Sequence, residues 1–248
     1  MESFGINCDL GDSPKPGSHR RESRLIPYIH SCNISCGFHG AKPVQIEKFL
    51  KLALENRIKI GAHPSYPDPG GDGRKILSLD PCELRSTIKS QITAFRKLLE
   101  KEGGKLSHIK PHGALYNVVA SVKSQAIPFL QAIFEISPAT PVMGLAGSPL
   151  KSWAVEWGLG FISEAFADRK YQTDGTLVPR SEEGSVIGNT SLALCQAMSI
   201  WQNHEVQCLG GSVISIHADT ICLHGDNPAS LEIAKALKKA LKNSVKHE

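Results

Sequence analysis

Several protein classes are excluded by what this chain lacks. No apolar run approaches the roughly 20 residues of a membrane-spanning helix, so a helical membrane protein is not expected. The seven cysteines are odd in number and include no C-x-x-C pair, which leaves no disulfide framework and fits a reducing compartment. Cys36, three residues before His39, reads as a small buried hydrophobe rather than a metal ligand. No basic segment followed by an apolar stretch stands at the amino terminus, so a cytoplasmic location is expected. Neither a Walker A run nor a dinucleotide fingerprint occurs; Gly144-x-x-Gly147 is too short for either and reads as a tight strand-to-helix turn. A nucleic-acid footprint would need basic residues interleaved with aromatics, and there is none. Instead Lys235, Lys238, Lys239, Lys242 and Lys246 read as the solvated face of a final helix, at the end where the helix dipole favours cations.

What remains is a chain of 248 residues, 41% hydrophobic and 21% charged, with a net charge of +4 and no compositional break that marks a linker. One domain over residues 1–248 is expected. Strands are read at Phe4 to Cys8, Ser31 to Ser35, Lys59 to Ala62, Leu106 to Lys110, Val142 to Leu145, Phe161 to Glu164 and Thr220 to Leu223, with a further candidate at Val213 to His217. Between them run helical stretches: one opens at Pro43 with Ile46, Phe49, Leu50 and Ala53 at helical spacing, and another is capped at Asp80-Pro81-Cys82-Glu83 and stops at Gly103-Gly104. Ser148 reads as a helix cap, and Pro228 as the start of the closing helix. Pro14, Pro16 and Gly17 predict a loop over residues 12–22, and residues 64–73, with three prolines and three glycines, predict a pocket wall. Strand alternating with helix implies right-handed crossovers and a parallel sheet. The expected fold is a single (β/α) barrel of seven or eight mostly parallel strands.

Polar chemistry is concentrated where apolar runs end, at Asn7-Cys8-Asp9, Cys36 to His39, Gly61-Ala62-His63, Lys110-Pro111-His112, Gly144 to Gly147, Glu164 to Arg169 and His224-Gly225-Asp226. Ligands of β/α proteins sit beyond the carboxyl ends of the strands, so these motifs are expected to converge on one mouth. Asp9, His39, His63, Lys110 and His112 form the candidate catalytic set. Asp9, His39, His63 and His112 also offer enough oxygen and nitrogen ligands for a divalent metal; without one, the histidines are suitable general bases. Lys110 is expected to face inward as a stabiliser of a developing oxyanion. Asp12, Arg74, Asp168, Arg169, Arg180, His224 and Asp226 are candidate substrate- or phosphate-binding residues, with Asp168 placed to hold Arg169. Asp226 reads equally as a helix cap. Asp219 is expected at the opposite end of its strand, in a structural role.

The runs Asn7 to Gly11, Asn33 to His39, Gly61 to Asp68, Lys110 to Asn117, Phe166 to Arg180 and Asp219 to Asp226 resemble, in order and over nearly the whole chain, the LamB/YcsF family. The resemblance implies a barrel similar to those of polysaccharide deacetylases. It also implies ATP-dependent hydrolysis of the lactam of 5-oxo-L-proline (pyroglutamate) to L-glutamate, with this chain as the A component of a 5-oxoprolinase whose partners are subunits B and C. ATP is then a co-substrate that activates the carbonyl by phosphorylating its oxygen. Arg169, Lys110 and Arg74 would hold phosphate and substrate carboxylate, and Asp9 or a histidine would activate water. A divalent metal and a homo-oligomer are both compatible with this assignment. Three positions depart from the family pattern: Asp12 stands for glutamate, Lys42 for an acid and Asp72 for an aromatic. Two other readings stay open, a metal-dependent amidohydrolase or deacetylase that needs no ATP, and a non-catalytic component that binds the lactam for its partners.

Overall fold

Side chains alternate along a β-strand, and in this chain the alternation is polar on one side and apolar on the other. In β1 (Gly5–Leu10), Ile6, Cys8 and Leu10 are fully buried in the hydrophobic core, while Asn7 and Asp9 meet polar partners from other strands. The same alternation runs through β2 (Ser31–Ser35) and β3 (Lys59–His63), whereas β4 (Leu106–Ile109) and β6 (Phe161–Phe166) each contribute a single inward polar group, His108 and Glu164, and β5 (Val142–Leu145) is apolar throughout. The architecture follows: one apolar layer between strands and helices, and a polar lumen.

In the computed structural model, which describes residues 4–15 and 17–244, seven strands close into a barrel in which every pairing is parallel. The strand that closes the barrel, between β6 and β1, is β9 (Thr220–His224). Before it, β7 (Glu205–Gln207) and β8 (Val213–Ser215) form an antiparallel pair outside the barrel. The candidate at Val213 is therefore a strand, but not a barrel strand. Helices α2 (Pro43–Glu55), α3 (Pro81–Lys101), α4 (Gly113–Ser121), α5 (Lys123–Ile136), α6 (Leu150–Glu156), α7 (Thr190–Asn203) and α8 (Ser230–Ser244) connect or follow the strands. None of the described helices is long and apolar enough to cross a membrane.

Local expectations hold where the cap chemistry is clear. Asp80 Oδ1 accepts from the N–H groups of Cys82 and Glu83 at 2.8 and 2.9 Å and starts α3. Ser148 does not cap α6; its hydroxyl donates to the Leu145 carbonyl at 2.7 Å, within the turn that precedes the helix. The stretch after β1 is not all loop, because α1 (Ser18–Ser23) forms once Pro14 is passed and buries Glu22. Pro16 and Lys246 lie outside the described residues.

The lower lumen is filled by polar groups that satisfy one another. Asn33 Nδ2 donates to Asn7 Oδ1 at 2.9 Å and to Asp9 Oδ1 at 2.7 Å, and its Oδ1 lies 2.6 Å from His108 Nε2. Burial, then the nearby Lys110 cation, pushes the His108 imidazole down to about 3, so this ring is neutral. Gly61 makes room for it, because a Cβ at that position would overlap His108 Nε2. Asp219 lies at the far end, accepting from the Ser163 N–H at 2.7 Å. The polar plug supports the mouth above it.

Candidate functional site

Register brings the strand ends together. Asp9 pairs with Asn33 on one side and His224 on the other, and Ser35 pairs with His63. Asp9, Asp12, His63, Lys110, His112 and His224 all line one cavity of about 450 Å³, with Tyr116 and Phe166 in its walls and Arg74, Arg169 and Arg180 also lining it. His39 is buried behind this surface and stacks on His112 with ring centroids 4.0 Å apart.

Lys110 does point inward, and its ammonium is fully engaged there. Nζ lies 2.8 Å from Asp9 Oδ1, 2.8 Å from Glu164 Oε1 and 3.3 Å from Cys222 Sγ. Its three donors go to both Asp9 oxygens, Oδ2 lying at 3.1 Å, and to Cys222 Sγ, so none is left for an oxyanion unless a partner is exchanged, and the Glu164 contact is an ion pair without hydrogen-bond geometry. Burial opposes the charge on both sides of the Asp9 contact, yet each ion overcomes it for the other. The Asp9 carboxyl is held well below its usual range by Lys110 and His63, and the Lys110 ammonium well above its own by Asp9. Tyr116 donates to the second Glu164 oxygen at 2.9 Å.

Beside this pair stand the imidazoles. His63 Nδ1 is 2.7 Å from the Lys110 carbonyl, and His112 Nε2 is 2.7 Å from the Asp72 carbonyl. A carbonyl can only accept, so each of those nitrogens carries the proton, and the lone-pair positions of both rings face inward. There His63 Nε2 and His112 Nδ1 lie 3.0 Å apart, and Asp12 Oδ2 is 3.7 and 3.3 Å from them. Two lone pairs cannot face each other at that distance without a cation between them. A proton meets the need: burial disfavours it, but Asp9 and Asp12 raise His63 to about 10, so an imidazolium donates to His112. Asp12 is in turn held well below its usual range, with burial outweighed by His112 and His63. His39 braces its other oxygen, with Nε2 at 3.2 Å from Asp12 Oδ1 and Nδ1 at 2.8 Å from Ser65 Oγ. Burial, then His112, pushes His39 down to about 4.

The same three inward donors suit a divalent metal. Asp12, His63 and His112 each offer a ligand atom within 4.8 Å of the others, and both imidazoles have their outer nitrogens fixed by carbonyls, as metal-ligating histidines do. The expected metal set of Asp9, His39, His63 and His112 is thereby rearranged, with Asp12 at the centre, Asp9 engaged by Lys110 and His39 behind Asp12. A second donor group, Asp9 with Cys222 and His224, already holds a cation in the Lys110 ammonium.

On the far wall Asp168 does not hold Arg169. Its Oδ1 lies 2.9 Å from His224 Nδ1, and Oδ2 accepts from the His224 N–H at 3.1 Å and Asn227 Nδ2 at 3.3 Å. His224 stacks on Phe166, and among the described residues its Nε2 has no hydrogen-bond partner. Arg169 instead donates to the carbonyls of Val178 at 2.5 Å and Ser185 at 3.4 Å. Burial, then Arg180, lowers this guanidinium to about 10. Arg74 and Arg180 meet Asp226 at 3.2 and 2.9 Å. The helix-cap reading of Asp226 fails, because Asn227 Oδ1 accepts from the Ala229 N–H at 3.0 Å in its place.

The departures from the family pattern are placed too. Asp12 reaches the histidines, the Asp72 carbonyl orients His112, and Lys42 is an exposed residue at the start of α2, away from the cavity. Gly73, at φ 67°, passes so close to His112 that a Cβ would lie 2.7 Å from the ring. Glu164, Asn33, His108 and Tyr116 are additional members of the polar assembly.

Fold and site together define a parallel β/α barrel with paired acids and imidazoles gathered at its carboxyl-terminal mouth. The sequence model of the LamB/YcsF family matches residues 4–247, and the chain belongs to that family. It is 38% identical over 244 residues to the 5-oxoprolinase A subunit of Geobacillus thermodenitrificans, covering 98% of this chain and 94% of that one. To the 5-oxoprolinase A subunit of Acinetobacter baumannii strain ACICU it is 40% identical over 241 residues, covering 97% and 95%. The crystal structure of the lactam utilization protein from Thermus thermophilus superposes with a TM-score of 0.89 at 34% identity, covering 98% and 97% of the two chains.

Proposed function

We propose that this chain is the catalytic A subunit of a cytoplasmic, ATP-dependent 5-oxoprolinase, acting with subunits B and C. The observation that carries this reading is the convergence of Asp9, Asp12, His63, Lys110 and His112 on one cavity, in a chain whose relatives bear that name. A cavity of about 450 Å³ lies within the range of small-molecule sites and has room for a small cyclic amide.

The substrate carboxylate is held at the arginine wall of Arg74, Arg169 and Arg180, whose guanidiniums suit a planar anion. Phosphorylation of the lactam oxygen by ATP makes its carbon electrophilic. Water adds at that carbon and gives its proton to the open Nε2 of His224, whose Nδ1 Asp168 orients. The C–N bond then breaks, and the nitrogen takes the proton held by the group formed by Asp12, His63 and His112. A second water releases phosphate, so the products are L-glutamate, ADP and inorganic phosphate. Lys110 keeps Asp9 ionised beneath this group.

One observation favours a second reading, a metal-dependent amidohydrolase that works without ATP: the inward lone pairs of His63 and His112 beside the Asp12 carboxylate. Those three residues would hold the ion, which supplies Lewis-acid activation of a carbonyl or water. Metal analysis of the purified chain, with the visible spectrum after cobalt addition, tests this set. Reconstitution with subunits B and C separates the two readings. The first predicts L-glutamate only when ATP and both partners are present, and a drop of about 100-fold or more for Asp9→Asn or His112→Gln. Unchanged turnover in both variants would sink the site assignment, and hydrolysis without ATP would favour the second reading.

A further inference from the structure

At the mouth, three loops are tied together by one carboxylate oxygen. Arg74 belongs to the loop after β3, Arg180 to the loop after β6 and Asp226 to the turn after β9. Asp226 Oδ2 alone receives both guanidiniums, from Arg74 Nη2 at 3.2 Å and Arg180 Nη1 at 2.9 Å. Arg74 also has Asp72 Oδ2 at 3.6 Å from its Nη1. All three members of the clasp are partly exposed, with side-chain exposures of 36%, 24% and 34% for Arg74, Arg180 and Asp226. Asp226 has no capping duty, since Asn227 caps the turn that leads into α8.

The clasp also stands between two cavities. The 450 Å³ cavity is lined by Arg74 and Arg180, and a second of about 720 Å³ by Arg74 and Asp226; both reach Asp9, Asp12 and His224. Asp226 is thus a carboxylate presented by the protein itself, from the side of the second cavity, to a pair of guanidiniums on the wall of the first. The geometry points to Asp226 as an internal competitor: an anionic group of the substrate displaces its carboxylate from Arg74 and Arg180, and this exchange sets the affinity for the substrate and unties the three loops. The inference rests on the reading of the arginine wall as the substrate's anion site. Charge supports it. Arg169 is buried beside the clasp and, among the described residues, its guanidinium donates only to backbone carbonyls, so it adds to the wall a third guanidinium that no carboxylate bonds.

Calorimetric titration of the full chain with 5-oxo-L-proline, and separately with inorganic phosphate, tests the exchange. Exposed ion pairs are weak, so removing the competitor by Asp226→Asn should tighten binding of the lactam about two- to tenfold, while Arg180→Met should weaken it about tenfold or more. Asp226→Ala replaces the amide variant if that one melts early. Equal or weaker binding by the Asp226 variants, with Arg180→Met still impaired, overturns the competitor and leaves the arginine site standing. Undiminished binding in both Arg74→Met and Arg180→Met, or no binding of either anion by the unmodified chain, overturns the arginine site and the competitor with it.

Discussion

Replacing Lys110 by methionine keeps the aliphatic stem and removes one buried positive charge. The side chain is 2% exposed, and its two acid partners, Asp9 and Glu164, are 8% and 0% exposed. Their mutual attraction is not what would be measured; the cost is that of leaving Glu164 in a closed lumen without a cation and Asp9 with only the His63 imidazolium at 3.4 Å. Breaking a buried pair by removing one partner typically costs about 3–5 kcal/mol, so Lys110→Met should lose that much by urea unfolding at pH 7. The loss should shrink as pH falls and protonation removes a stranded charge from the folded state. Each proton so bound changes stability by about 1.4 kcal/mol per pH unit. Adding Asp9→Asn to Lys110→Met should restore at least about 2 kcal/mol, because it removes one stranded charge and leaves the Asn33 contact. A loss below about 1 kcal/mol, or strict additivity in the double variant, would refute the ion cluster as the support of the site.

Three further outcomes follow from the same geometry. Glu22 is buried and accepts from the Gly11 N–H at 2.8 Å, and burial pushes its carboxyl up to about 8; the folded chain therefore holds a proton that the unfolded chain releases above about 4.5. Stability should decline with rising pH over that window at about 1.4 kcal/mol per unit and level off beyond 8, and Glu22→Gln should flatten the slope in urea midpoints taken at pH 5 and pH 8. His63, raised to about 10, contributes stability that is complete below its unfolded value near 6.5 and is lost as pH climbs toward 10; nitrogen-15 spectra should show its ring doubly protonated at pH 8, and a neutral ring there would contradict the shared-proton geometry. Gly61→Ala should cost about 1–3 kcal/mol because its methyl would enter the His108 ring, and thermal unfolding at wild-type temperature would show that the lumen is looser than described.

How much of this is legible in the sequence depends on whether the signal is local. β2 and β5 begin and end where the apolar runs place them, and α2 and α3 open at Pro43 and Pro81 because proline and a cap residue act within one turn. Strand ends marked by Asp9, His63 and His112 predict the mouth, since parallel strands carry their carboxyl ends to one side. Partner choice is less accessible, because it depends on contacts across the barrel. Adjacency in the chain pairs Asp168 with its neighbour Arg169, whereas β9 brings His224 within reach of it instead. Glu164 reads only as the end of a strand, although it stands two residues before Phe166 and so shares an inward face; an acid at an inward position is the available clue. Asn33 and His108 carry the same clue and no other. The candidate metal donors shift from Asp9 to Asp12 for a similar reason: only the fold shows that Lys110 has already claimed Asp9.

The proposed activity requires the lactam to sit over the acid and imidazole cluster. A crystal structure of the chain with 5-oxo-L-proline should place the ring in the cavity bounded by Asp12, His63, His112 and His224, with its carboxylate on the guanidiniums of Arg74 or Arg180. Density for the lactam at another surface, with the mouth filled only by solvent, would contradict it.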